Sequence, residues 1–179
     1  CTSHLAMNGE KRYLFSIVAL AVLSHFNSIP GSFHYDDTHS IVDNPAIRTF
    51  ETLLRILYDP AVFSGEPSMA MYRPLVVLSY VFNYAISPDS PFGFILFNLL
   101  MHAGVSLSVF LLLRCWSGDL RGAWGAAALF SVHPINSQVV NYVSSRSESM
   151  AALGVLLSLW FALKDCNRAS WISYGLGLL

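Results

Sequence analysis

Long apolar stretches alternate with short polar ones along the chain, and this pattern predicts a membrane protein built of helices. A membrane-crossing helix needs about 20 mostly apolar residues. Segments that approach this description lie at 13–29, 92–113, 120–132, 150–163 and 169–179, the last of which stops inside an apolar run. The segment at 120–132 is short and must borrow flanking residues or cross where the bilayer is thin. We predict an all-α integral membrane protein, with residues 1–12 as a cytoplasmic lead or an addition from cloning.

The segment 72–86 decides on which side of the membrane the polar loops lie. It is apolar but interrupted by Asn83, and it opens with Arg73 and Pro74. If it crosses, four basic residues fall outside; if it lies at the interface or dips in and returns, they join Lys11 and Arg12 inside. The four are Arg114, Arg121, Lys164 and Arg168. Basic residues favour the cytoplasmic side, so we predict the second arrangement, with external loops at 30–91 and 133–149.

Residues 44–60, in the first of these loops, carry the pattern of an amphipathic helix. Asn44 suits the N-cap position and Pro45 the first turn, and Asp59-Pro60 ends the pattern. At about 100° per residue the charged and apolar side chains fall on opposite stripes. The charged stripe is Arg48, Glu51, Arg55 and Asp59, and the apolar stripe is Phe50, Leu53, Leu54 and Leu57. We predict a continuous helix that lies in the membrane interface.

Composition agrees with a membrane location and excludes one class of partner. Apolar residues make up 54% of the chain and charged residues 12%, whereas charge is nearer a quarter in soluble domains; the mean hydropathy is +0.51. Ten basic residues face eleven acidic ones without a basic run, so we predict no nucleic-acid partner. Three scattered cysteines, with neither metal-binding nor redox spacing, are interpreted as free thiols: Cys1, Cys115 and Cys166.

Candidate chemistry begins with two adjacent carboxylates in the first external loop, Asp36 and Asp37. A carboxylate near a hydroxyl can accept its proton as a general base, and a like-charged neighbour strengthens that base. Two alternatives stay open. The aspartates can form an Asx-turn after the first helix, or they can bind a divalent metal together with His34 and His39, although this spacing matches no dedicated metal motif.

Two arginines on the external side raise a similar choice. Arg73 opens the segment predicted to dip into the membrane, at the depth of lipid phosphates. Arg146 falls on a stripe that is otherwise apolar, formed by Ile135, Val139 and Val143. Such arginines can anchor to headgroups, and Arg146 can pair with Glu148. They can also bind an anionic, lipid-linked ligand at the membrane surface.

A polar stripe lies within the segment 92–113. Asn98, His102 and Ser106 recur every four residues and therefore share one face of a helix. Polar residues inside a membrane usually join helices, and the alternative is that they line a cavity or a substrate path.

Taken in order, several short motifs resemble those of the transmembrane and tetratricopeptide-containing O-mannosyltransferase family and its bacterial relatives. They are YDD at 35–37, NP at 44–45, YRPL at 72–75, Asn83, Asn98 with His102, HP at 133–134 and NYVSSRSES at 141–149. The resemblance covers about residues 33–163. It implies a transmembrane helix bundle of the kind found in GT-C glycosyltransferases, which transfer a sugar from a polyprenyl-phosphate carrier to a protein or lipid hydroxyl on the external or lumenal face.

The resemblance also implies roles for individual residues. It makes Asp36 or Asp37 the base or acceptor-binding residue, and it makes Arg73 and Arg146 the groups that hold the donor phosphate. The expected supporting residues are Tyr35, Tyr72, His102, His133 and Glu148. No metal ligand and no certain cofactor belong to this set, and the metal alternative near the aspartates remains open.

Departures from the family pattern affect the expected sugar and location. Asn136 and Gln138 stand where the family commonly has histidine or glutamine and then an acidic residue, so the donor sugar stays open, with mannose the first candidate. The element SSRSE resembles bacterial members, which favours the bacterial inner membrane, or the endoplasmic reticulum membrane in a eukaryote. These 179 residues alone are not expected to catalyse transfer. The alternative function is a transporter or assembly scaffold that depends on Asn98 and His102 rather than on the aspartates.

Overall fold

The computed structural model describes residues 2–164 and 167–178, and every regular element in these ranges is a helix. The all-helical prediction is therefore confirmed for this part of the chain. Of the three predicted free thiols, Cys115 is a half-buried free cysteine, whereas Cys1 and Cys166 lie outside the described residues.

Six longer helices form the bundle. They are α1 (Thr2–His25), α2 (Pro74–Ile86), α3 (Pro91–Ser117), α4 (Leu120–Val132), α5 (Arg146–Leu163) and α6 (Asn167–Leu178). Helix α3 is central, since it packs against α1, α4 and α5, and α5 also packs against α6. Asp119 caps α4 by accepting hydrogen bonds from the backbone N–H groups of Arg121 and Gly122, which explains the sharp turn between α3 and α4.

Two described helices are long and apolar enough to cross a membrane, α3 with 27 residues and α5 with 18. They contain the predicted spans at 92–113 and 150–163. Helix α5 begins at Arg146 rather than near Met150, so the loop predicted at 133–149 is shorter in the structure. Glu148 in its first turn favours this earlier start, because a negative charge stabilises a helix N-terminus.

The two shorter apolar helices, α2 and α4, have 13 residues each. At about 1.5 Å per residue they are about 20 Å long, less than the roughly 30 Å hydrocarbon core. Neither helix spans a bilayer of that thickness alone, so a crossing at 120–132 and a dip at 72–86 stay predictions. Helix α1 ends at His25 and is followed by a 3-10 turn, Phe26–Ser28, inside the predicted span 13–29.

The segment between α1 and α2, predicted to be the first external loop, folds as a series of short helical turns. They are Thr38–Val42, Pro45–Arg48, Thr52–Arg55, Pro60–Phe63 and Pro67–Met69. The predicted cap is confirmed, since the Asn44 side chain accepts a hydrogen bond from Ala46 N at 3.0 Å and Pro45 begins the turn.

The prediction of one continuous helix over 44–60 is wrong. The backbone is extended at Thr49, with φ −132° and ψ 144°. Ile47 and Ile56 are both buried in the same core cluster. In a continuous helix they would point about 180° apart, so the chain has to break between them to bury both. Three predicted apolar-stripe residues, Phe50, Leu54 and Leu57, are exposed, and their insertion in the membrane interface stays a prediction.

Buried apolar side chains connect this loop to the bundle. One cluster joins Ile41, Ile47 and Phe63 of the loop to Val77 of α2 and Leu99 of α3. A second cluster joins α1, α3 and α4 through Ile17, Phe110, Ala123 and Ala127. The first cluster fixes the loop on the bundle and thereby positions its polar residues.

Close packing of α5 on α6 gives a stability prediction. A methyl group added at Gly154 would collide with the Gly177 backbone, so Gly154→Ala should cost about 1–3 kcal/mol through overpacking. The measurement is thermal unfolding of the full-length protein in detergent. Gly125→Ala is the control, because its methyl would meet no atom within 4 Å and alanine is the better helix former. Equal melting temperatures for the two variants would contradict this packing.

Candidate active site

Asp37 connects the loop between α1 and α2 to the turn that leads into α5. Its side chain is fully buried. Its Oδ1 accepts a hydrogen bond from Ser144 N at 2.7 Å, and its Oδ2 accepts from Val143 N at 3.3 Å and from His34 N at 3.1 Å. We call residues 142–147 the site turn. His34 lies in the loop, whereas Val143 and Ser144 lie in the site turn. Asp37 therefore holds the loop and the site turn together.

Asp36 has a different environment although it is the neighbouring residue. Its side chain is 77% exposed, and its Oδ1 lies 3.9 Å from His39 Nε2. His39 is fixed in turn by a contact of 3.0 Å between its Nδ1 and Ser64 Oγ. Asp36 therefore offers an open carboxylate beside an imidazole, whereas the carboxylate of Asp37 is already occupied.

The metal alternative has no support in the described residues. Within 2–164 and 167–178, no three His, Cys, Asp or Glu side chains gather closely enough to hold a metal ion. Asp36 and His39 are near each other, but the oxygens of Asp37 accept hydrogen bonds from the backbone instead. The residues present do not fit a divalent metal.

Arg146 is the largest of the fully buried side chains. Its Nε donates to Asn98 Oδ1 at 2.9 Å, its Nη1 to Ser79 Oγ at 2.8 Å, and its Nη2 to the Phe94 carbonyl at 3.1 Å. Three aromatic rings also surround the guanidinium, with distances from Cζ to the ring centroids of 4.4 Å (Phe97), 4.9 Å (Tyr80) and 5.8 Å (Phe94). Such rings attract a cation.

This burial decides between the interpretations of Arg146. Headgroup anchoring is wrong, because no part of the side chain reaches the surface. Pairing with Glu148 is wrong as well, since the described residues contain no ion pair at Arg146. The expected binding of an anionic ligand finds no open face here, because all three nitrogens already donate.

Two helix side chains, Asn98 of α3 and Tyr80 of α2, hydrogen-bond to the backbone of the site turn. Asn98 accepts from Arg146 and also donates its Nδ2 to the Tyr142 carbonyl at 3.0 Å. The Tyr80 hydroxyl donates to the Val143 carbonyl at 3.2 Å. The site turn is therefore fixed by α2 and α3 from one side and by Asp37 from the other.

The polar stripe of α3 joins neighbouring elements, as one of its two interpretations requires. Asn98 reaches the site turn, and His102 Nε2 lies 3.0 Å from the Ser131 carbonyl of α4. The ring of His102 also meets that of His25 in α1 at 4.9 Å. Ser106 bonds only within α3, to the His102 carbonyl.

Arg73 reaches the site turn from the start of α2. It is half-buried, and its Nη1 donates to Ser147 Oγ at 3.0 Å while Cζ lies 5.4 Å from the centroid of the Phe63 ring. It lines a cavity of about 270 Å³ together with Val76, Ser147, Glu148, Met150, Ala151, Gly177 and Leu178. Glu148 is exposed at the edge of this cavity.

Two series of contacts bring the predicted residues together. Asp37 and Arg73 both bond to the site turn, at Ser144 and Ser147. Asp36 approaches His39, whose ring lies 6.5 Å from that of Phe63, and Phe63 lies under Arg73. These contacts connect the loop, the site turn and the start of α2, and whether they form one catalytic site stays a prediction.

Other predicted supporting residues lie elsewhere. His133 caps the turn Pro134–Asn136, with its Nδ1 accepting from Ile135 N at 3.2 Å, and the Tyr72 hydroxyl donates to the Leu57 carbonyl at 2.9 Å. His102 lies among the helices. Sequence reasoning missed the contributions of Ser79, Tyr80 and Phe63, whose apolar or small side chains carry no signal of their partners.

The buried Arg146 gives a second stability prediction. Arg146→Lys keeps the charge but lacks the planar group that makes three bonds at once, and it leaves buried acceptors without donors. We expect a loss of about 1–3 kcal/mol in the free energy of unfolding, measured as a lower melting temperature of the full-length protein in detergent. The exposed Arg121 supplies the control, since Arg121→Lys should change stability by less than about 0.5 kcal/mol. Equal melting temperatures would contradict the assigned network.

Comparison with known proteins agrees with the resemblance read from the motifs. No family model and no solved structure matches the chain. Protein O-mannosyl-transferase TMTC3 of Mus musculus is 33% identical over 140 residues, which cover 76% of this chain and 15% of the relative. Tmtc1 of Drosophila melanogaster is 32% identical over 158 residues (86% and 18%), and TMTC2 of Homo sapiens is 30% identical over 156 residues (86% and 19%).

The chain thus spans 15–19% of the length of these curated relatives. Several relatives, from mammals, an insect and a nematode, match most of this chain at 26–33% identity. The chain belongs to the family of transmembrane and tetratricopeptide-containing protein O-mannosyl-transferases.

Proposed function

We propose that this chain forms part of the catalytic site of a membrane glycosyltransferase. In this proposal a sugar moves from a polyprenyl-phosphate carrier to a hydroxyl group on the external or lumenal face of a GT-C-like bundle. The names of the relatives support mannose as the sugar and a protein as the acceptor. The polyprenyl-phosphate donor and the roles of single residues are proposed from the geometry around Arg73 and Asp36.

The observation that carries the proposal is that the Arg73 cavity lies next to an apolar groove. The groove has a volume of about 540 Å³ and lies among α2, α3, α5 and α6. Met150 and Gly177 line both spaces. A cation beside an apolar groove suits a molecule with a phosphate head and a hydrocarbon tail. A water-soluble nucleotide sugar would gain nothing from the groove.

The proposed mechanism is an inverting displacement at the anomeric carbon. Asp36 accepts the proton of the acceptor hydroxyl group while the hydroxyl oxygen bonds to the anomeric carbon. The bond between the carbon and the phosphate oxygen breaks, and polyprenyl phosphate leaves with both bonding electrons. Arg73 stabilises the charge that develops on the phosphate. The proton ends on Asp36, with the imidazole of His39 nearby at 3.9 Å.

Asp37 and Arg146 act in this proposal as positioning residues. Asp37 fixes the loop that presents Asp36, and Arg146 fixes the turn that carries Ser147, the partner of Arg73. The phosphate contact is therefore assigned to Arg73, and Arg146 contributes through the site turn.

Transfer assays test the proposal. Membranes containing the full-length protein are supplied with radiolabelled polyprenyl-phosphate mannose and protein acceptors. Asp36→Asn should lower kcat about 100- to 10,000-fold, the usual contribution of a general base, without lowering the melting temperature. Arg73→Ala should lower kcat and raise the KM for the donor, because Arg73 meets the phosphate both before and during transfer.

Asp37→Asn provides the matched comparison at the neighbouring position. The asparagine side chain has one oxygen that accepts hydrogen bonds, and its amide nitrogen only donates. It cannot replace both carboxylate oxygens of Asp37, so this variant should lose both activity and thermal stability. Transfer that is equal in wild type, Asp36→Asn and Arg73→Ala would contradict the proposal. That result would favour the transporter or scaffold alternative.

A further inference from the structure

Aromatic side chains form an exposed surface directly beside Asp36. The rings of Tyr35 and Tyr142 stack with their centroids 6.1 Å apart and their planes at 30°. The ring of His34 lies 5.8 Å from that of Tyr142. Tyr35 is 81% exposed, and we call these three residues the aromatic platform. A large ordered ring that faces outward, next to a candidate base, indicates a contact surface rather than core packing.

The backbone at Tyr35 is strained in a way that keeps the ring outside. Its φ is +46°, in the left-handed region that disfavours side chains with a Cβ. Hydrogen bonds on both sides hold this conformation, from Asp37 N to the His34 carbonyl at 2.9 Å and from Thr38 N to the Tyr35 carbonyl at 3.0 Å. Strain of this kind concentrates at functional sites.

The platform and the candidate base are held in place by the same hydrogen bonds at the site turn. Tyr142 belongs to the site turn, where its carbonyl accepts from Asn98 at 3.0 Å. The next two residues donate their backbone N–H groups to Asp37, the neighbour of Asp36. The position of the rings relative to the Asp36 carboxylate is therefore fixed by the same contacts that fix the loop.

The platform and Arg73 contact different ends of the site turn. Arg73 bonds to Ser147 at its carboxyl end, whereas the platform includes Tyr142 at its amino end. In a displacement with inversion, the acceptor approaches the anomeric carbon from the side opposite the leaving phosphate. The mechanism therefore needs an acceptor site away from the phosphate, and the platform is held at the end of the site turn away from the Arg73 contact.

We infer that the aromatic platform binds the acceptor polypeptide, through an aromatic side chain next to its serine or threonine. This inference rests on the proposed function, since it takes Asp36 as the base and Arg73 as the phosphate contact. Aromatic rings favour offset or edge-to-face contact with another ring. The open face of Tyr35 offers such a contact beside the carboxylate that would receive the hydroxyl proton.

Peptide binding without any donor tests the inference apart from catalysis. Two fluorescein-labelled peptides carry a single threonine and differ only in the next residue, phenylalanine or glycine. The full-length protein in lipid nanodiscs should bind the phenylalanine peptide about two- to tenfold more tightly, the usual size of an aromatic pair contribution. Tyr35→Ala should remove this preference, and Tyr35→Phe should keep it.

Tyr58→Ala is the control, because Tyr58 is also an exposed tyrosine of the first loop but lies outside the platform. It should bind both peptides as wild type does. Equal binding of the two peptides by wild type would overturn the inference. A preference that survives in Tyr35→Ala would also overturn it and would leave the ring as a contact with lipid headgroups.

Transfer kinetics separate failure of this inference from failure of the proposed function. Tyr35→Ala should raise the KM for the phenylalanine peptide about two- to tenfold while the KM for the donor stays unchanged. If Asp36→Asn abolishes transfer but Tyr35→Ala changes neither KM, the platform inference alone is wrong. If Asp36→Asn transfers normally, the proposed function fails whatever the peptides show.

Discussion

A guanidinium buried without a carboxylate against it is the constraint on which the described structure depends. Arg146 satisfies its three donating nitrogens with the side chains of Asn98 and Ser79 and the carbonyl of Phe94, and aromatic rings surround it. A buried charged group that loses a hydrogen-bond partner costs stability, because the lost bond is not replaced by water. Helices α2, α3 and α5 are therefore held in one mutual arrangement at the level where α5 begins.

This arrangement explains how an exposed site can be well ordered. The site turn is supported from inside by Asn98 and Tyr80 and is covered from outside by Asp37. Catalytic groups need rigid support to stay in a productive geometry. The two groups of the proposed mechanism, Asp36 and Arg73, gain that support indirectly, through neighbours that are themselves buried or bonded to the site turn. The adjacent aspartates thus differ in role: Asp37 supports the loop, and Asp36 provides the exposed carboxylate.

Sequence periodicity predicted the long apolar helices, the cap at Asn44 and the shared face of Asn98 and His102, because each depends on residues close in the chain. It did not predict the burial and hydrogen bonds of Arg146, whose partners Asn98 and Ser79 lie 48 and 67 residues away in the sequence. A helical stripe shows which way a side chain points but not what it meets. The break at Thr49 was missed for the same reason, since it follows from the burial of Ile47 and Ile56 in one cluster.

In the proposed function a lipid-linked phosphate binds at Arg73 with its tail in the adjoining groove, on a site turn fixed by Arg146. The structure of the full-length protein bound to polyprenyl phosphate tests this binding mode. Phosphate oxygens should lie within hydrogen-bond distance of Arg73, the hydrocarbon chain should run past Met150 and Gly177, and Arg146 should still be bonded to Asn98. A phosphate bound to Arg146 with that bond broken, or a lipid bound away from the groove, would contradict it.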